Sequence, residues 1–124
     1  MLIYLMLTSC LLLSSCSNAS SSKNSNNSSE DNAILAEMLE IHQKRNNLMS
    51  RIETAYNSYR RSLASGSAAA YMGEAGMWKY REEMLNLCDE YIRLAKKLND
   101  NEKVVEEAER QKRNIMSAFK DMGF

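Results

Sequence analysis

Proline is absent from the 124 residues, and glycine occurs only four times. Strand-rich folds need turn residues at short intervals, so this scarcity excludes a sandwich, barrel or meander. Histidine occurs once and cysteine three times, two of the cysteines within the first 16 residues. One imidazole and one thiol beyond Cys16 cannot fill a zinc site, so no metal is expected. Net charge is missing too: Lys plus Arg and Asp plus Glu each number 16, and no charged residue precedes Lys23. Phosphate binding needs a basic excess, so nucleic acid is not an expected partner. The same balance argues against a polybasic attachment to a membrane surface. A spanning segment is also lacking. The longest apolar stretch, Leu2 to Leu13, reaches only ~18 Å as a helix against a hydrocarbon core of ~30 Å.

What is present divides the chain into three parts. The stretch Leu2 to Leu13 has the size of the apolar region of a secretory signal. It runs into Leu13-Ser14-Ser15-Cys16, which resembles the lipobox of bacterial lipoprotein precursors: Leu, two small residues, then cysteine. The resemblance implies cleavage before Cys16, a diacylglycerol and fatty acid such as palmitate at Cys16, and no spanning helix in the mature protein. Leu7-Thr8-Ser9-Cys10 has the same form, but it would leave about six apolar residues, below the usual range of about 7–15. One departure from the pattern is that no Lys or Arg stands ahead of the apolar run. The expected divisions are a signal peptide at 1–15, lipidated Cys16 with a tether to residue 31, and a helical domain at 32–124.

The tether is almost entirely Ser and Asn from 17 to 29. Such a segment cannot bury enough apolar area to offset the entropy of ordering it. It is read as a flexible linker with a root-mean-square reach of ~20 Å. The address implied is a bacterial cell envelope, with the membrane engaged through lipid on Cys16. Ser17 follows Cys16 with no acidic run after it; in a host with two membranes, the sorting rules of the lipoproteins it resembles lean towards the outer one.

From Asn32 onward good helix formers dominate. The expected fold is all-α, either an antiparallel helical hairpin or a small three-helix bundle, with helices at about 32–64, 68–98 and 101–122. Asp31 or Asn32 is placed to cap the first helix. Its apolar positions are Ile34, Met38, Ile41, Leu48, Ile52, Ala55 and Tyr59, three or four residues apart, with Arg45 filling one slot. Leu35, Met49, Tyr56 and Leu63 widen that stripe. Ser65-Gly66-Ser67 ends it. In the second helix Met77, Met84, Tyr91 and Leu98 recur at sevens, with Tyr80, Leu87 and Leu94 between. A second stripe of Leu85, Cys88, Ile92 and Ala95 predicts contact with two neighbours. Asn99 and Glu102 stand at capping-box spacing ahead of Val105, Ala108, Ile115, Phe119 and Met122. The sevens also continue through Val105, Lys112 and Phe119, so one long rod in coiled-coil style competes with two separate helices.

Candidate chemistry is sparse. A hairpin about Gly66 brings His42 opposite Cys88 or Asp89, and a thiol beside an imidazole is the start of a nucleophilic site. No third group is placed to orient the histidine, and no Gly-rich loop offers an oxyanion site, so Cys88 is better read as a small buried hydrophobe. No enzyme activity and no cofactor are expected. Glu40–Lys44, Asp89–Arg93, Glu106–Arg110 and Glu109–Arg113 are spaced for ion pairs on a solvated face. The stretch from Ala68 to Tyr80 mixes small residues with aromatics and methionines. Together with Tyr56 and Tyr59 it makes a candidate partner-binding tip: Tyr56, Tyr59, Tyr71, Met72, Met77, Trp78 and Tyr80. The function expected is therefore non-enzymatic, a membrane-anchored lipoprotein presenting a helical surface to a protein partner or to another copy of itself. The alternatives are an exclusion or immunity-type lipoprotein of a mobile element, a small-ligand carrier, and a thiol enzyme using Cys88 and His42.

Overall fold

A computed structural model describes residues 28–124. The expected signal segment, Cys16 and the tether as far as residue 27 lie outside the described residues. Among the described residues three helices follow one another: α1 Ser28–Ala64, α2 Ala69–Ala95 and α3 Glu102–Asp121. The fold is an all-α three-helix bundle, and no strand occurs among the described residues. α2 packs closely against both neighbours, while α1 and α3 approach each other far less. This is the arrangement the two stripes of α2 predict.

Two turns set the topology. α1 ends in a Schellman motif: Ser67 N–H donates to Ser62 O at 3.0 Å and Gly66 N–H to Leu63 O at 3.1 Å. Gly66 has φ +66°, a left-handed conformation in which a residue without Cβ pays no steric penalty. Ser67 Oγ then accepts from Ala69 N–H at 3.2 Å at the start of α2. The second turn separates α2 from α3, which rules out the single long rod. Asp100 sits at φ +51°, a conformation that Asp tolerates better than most residues. The side chain of Asn101 donates back to Lys96 O at 2.7 Å.

Two sequence expectations at the helix ends are corrected. α1 starts at Ser28, so Asp31 and Asn32 lie inside its first turns and do not cap it. Asp31 instead accepts from the backbone and side-chain nitrogens of Asn99, both at 3.4 Å, and ties α1 to the second turn. The Asn99–Glu102 capping box does not form. Asn101 occupies the cap position, because the left-handed Asp100 breaks the helix one residue before it.

The core has two apolar clusters. The lower contains Met38, Ile41, Tyr91, Leu94, Ala95, Leu98 and Ala108. The upper contains Leu48, Ile52, Met77, Met84 and Phe119. Fully burying a side chain such as Ile52 or Phe119 contributes about 1.5–3 kcal/mol. Past α3 a second left-handed glycine, Gly123 at φ +94°, turns the chain back. Phe124 thereby lands between α1 and α2, its ring 5.4 Å from Tyr59 and 5.3 Å from Trp78.

α1 and α2 approach each other closely at Gly73. A Cβ there would stand 3.1 Å from Tyr59 Cδ2 and 3.3 Å from Tyr59 Cβ. At Gly76 a Cβ would meet nothing within 4 Å. Gly73→Val should therefore destabilise the bundle by about 1–3 kcal/mol through overpacking. Gly76→Ala should stabilise it by about 0.4–1 kcal/mol by restricting the unfolded chain. Thermal unfolding of both variants checks the pair, and equal effects would contradict this packing.

Candidate functional site

Between the two apolar clusters lies a polar layer with one residue from each helix. Arg45 of α1 is only 5% exposed, and Gln111 of α3 and Cys88 of α2 are also buried. Arg45 Nη2 donates to Gln111 Oε1 at 3.2 Å. Its Nη1 points at Cys88 Sγ at 3.9 Å, a weak interaction with a poor acceptor. The guanidinium carbon lies 4.5 Å from the centre of the Tyr91 ring, within range of a cation–π attraction. Among the described residues no carboxylate forms an ion pair with Arg45. Gln111 Nε2 is enclosed without a hydrogen-bond partner.

This layer governs the two groups expected to carry chemistry. Burial pushes the Cys88 thiol above its ordinary range. Asp89 adds to that, while Arg45 and Lys112 pull the other way and are outweighed. A protonated thiol is a poor nucleophile. His42 is held below its ordinary value, first by burial and then by the positive charge of Arg45. Its Nε2 lies 3.3 Å from Asn46 Nδ2. No hydrogen bond joins His42 to Cys88 among the described residues. The polar contacts of His42 and Cys88 run to Asn46 and to Arg45. No group of three or more metal-ligating side chains converges among the described residues.

The tip residues separate into three groups. Tyr71 and Met72 are each 80% exposed, and Trp78 is 47% exposed. Tyr56, Tyr59 and Tyr80 are half-buried; Tyr56 lies 5.8 Å beneath the Arg60 guanidinium carbon, and Tyr56 and Tyr80 pack on the upper cluster. Met77 is a correction, since it is fully enclosed in that cluster and meets no partner. It sits two turns from Met84 and on the same face, so it belongs to the series at sevens. Leu63 adds an exposed apolar side chain at the same end.

Sequence reasoning missed Gln111, Phe124 and Arg81. For Gln111 a signal existed: the α3 series skips from Ala108 to Ile115, and the α1 series is interrupted at Arg45. Of the expected ion pairs, Glu40–Lys44 forms at 3.1 Å. Arg93 pairs with Glu90 and Arg110 with Glu107, each three residues apart. Asp89 reaches across to Lys112 of α3. No Glu109–Arg113 pair forms among the described residues. No helix among the described residues is long and apolar enough to cross a membrane.

Comparison of the chain with protein-family models, with curated proteins and with solved structures gives no match.

The polar layer makes a sharp prediction. Arg45→Ala leaves a cavity and strips Gln111 of its buried partner, and should cost about 2–4 kcal/mol. Arg45→Met with Gln111→Leu fills the same space with apolar groups and should come within about 1 kcal/mol of the parent, or above it. Denaturant unfolding measures both. A cost under about 0.5 kcal/mol for Arg45→Ala would contradict the buried placement.

Proposed function

We propose that the chain is an exported, lipid-anchored protein of the bacterial envelope. Its role is non-enzymatic: it presents the free end of a helical hairpin to a protein partner. The observation that carries this reading is the exposure of Tyr71 and Met72, each 80% open to solvent at the start of α2. Isolated exposed apolar residues are ordinary, but here Leu63 and Trp78 are exposed at the same end. Large apolar side chains gathered at one place are what a protein interface uses.

The topology supports this assignment. α1 follows the tether and has 37 residues, which is about 55 Å of helix. The α1–α2 turn therefore stands at the end of the bundle remote from the tether. The Leu13-Ser14-Ser15-Cys16 pattern at the end of the apolar run supports the anchor. The state of Cys88 favours a binding role over thiol chemistry, since burial keeps the sulfur protonated and Arg45 occupies it.

Two variants separate the two halves of the proposal. Cys16→Ser should move the chain from the membrane fraction to the soluble fraction. Tyr71→Ser with Met72→Ser should leave stability within about 0.5 kcal/mol of the parent, because both side chains are exposed. The same pair should abolish the adduct formed in cells by a photo-cross-linker placed at Ala75. Membrane retention of Cys16→Ser would refute the anchor, and an undiminished adduct would refute the tip.

A further inference from the structure

We infer that the groove between α2 and α3 seats a second copy of this chain, the two α2 helices running antiparallel across a two-fold axis between Arg81 and Glu82. The open groove has a volume of about 520 Å³; it shares Trp78 with the tip and continues away from it along α2 and α3, so the inference goes beyond the partner surface argued above. Its apolar lining is Trp78, Leu85 and Met116. Trp78 and Met116 are both substantially exposed, and Leu85 is half-buried. These three belong to neither buried cluster of the bundle.

The charges around the lining identify the occupant. Lys112 and Asp89 pair with each other across the groove. That leaves Arg81 and Glu82, and among the described residues neither forms an ion pair. The guanidinium carbon of Arg81 lies 5.8 Å from the centre of the Trp78 ring, and its Nε is enclosed with no acceptor. A carboxylate brought by a partner pairs with the guanidinium as a whole, which no carboxylate of this chain meets among the described residues. The groove thus offers one unmatched cation and one unmatched anion on adjacent residues. A partner with a single sign of charge satisfies only one of them. A second copy satisfies both, because a two-fold interface sets residue i against j and j against i.

Charge also fixes the direction. A parallel pair sharing the Trp78–Leu85 seam would set Arg81 against Arg81 of the partner subunit at the seam, which is repulsive. The antiparallel pair sets Arg81 against Glu82 of the partner subunit twice over, with Trp78 facing Leu85 of the partner subunit. Each end of such a pair then carries one tether and one hairpin tip.

The test is photo-cross-linking in cells with the full-length chain, the cross-linker at Leu85. Two epitope-tagged lengths are co-expressed so that a two-copy adduct is recognised by carrying both tags. The unmodified groove should give that adduct. Arg81→Glu alone and Glu82→Arg alone should each reduce it at least about five-fold, since like charges then face each other at the axis. The double swap, Arg81→Glu with Glu82→Arg, should restore it. Met116→Glu, on α3, should also reduce it without altering α2, and it decides the matter should a single swap fail to fold by circular dichroism. An adduct only with other proteins, singles that match the parent, or a double swap that does not recover would each overturn the pairing. The adduct is read wherever the chain resides, so failure of the lipid anchor leaves this result independent.

Discussion

The guanidinium of Arg45 is the constraint on which the rest of the bundle depends. A buried charge without a carboxylate is costly. It is tolerated here because each helix contributes to its surroundings: Cys88 and Tyr91 from α2, and Gln111 from α3. Those contacts form in only one alignment of the three helices. A slip of one turn would place the cation against the apolar cluster above or below. Apolar clusters alone pack in several ways, whereas a polar layer between them selects one. The same alignment brings Asp31 to Asn99 at one end and Tyr59 to Gly73 at the other.

Helix lengths then decide what stays uncovered. α1 has 37 residues, α2 has 27 and α3 has 20. Once Arg45 meets Gln111, α3 is too short to cover the hairpin as far as its turn. Phe124, redirected by Gly123, reaches Tyr59 and Trp78. Beyond it Leu63, Tyr71 and Met72 remain open. The exposed end and the half-open groove beside Trp78 are thus consequences of one alignment and three unequal lengths.

Much of this frame is legible in the sequence. The recurrence of Ile34, Met38, Ile41, Leu48 and Ile52 sets the inner face of α1, and all but Ile34 are buried. Ser65-Gly66-Ser67 and the Asn99 to Asn101 cluster mark both turns. What sequence could not give were interactions between residues far apart in the chain. Asp31 looks like a cap because capping is local, yet its partner Asn99 is 68 positions away. Asp89 looks like a partner for Arg93, but Lys112 is brought closer by the fold. Arg45 stands out as a polar residue in an apolar series, and Gln111 fills the matching gap in α3. Linking them required the register that only the structure supplies. Met77 resembled a tip residue through its neighbours Tyr71, Met72 and Trp78, although its place among the sevens assigns it to the core.

In the function proposed, this bundle is joined to a lipid at Cys16, and which end faces outward follows from that bond. The most direct test is the mass of the mature N-terminal peptide recovered from membranes of cells making the full chain. The account predicts a peptide that begins at Cys16 and carries diacylglycerol on the thiol. A peptide with an unmodified Cys16 still joined to Ser15 would contradict it.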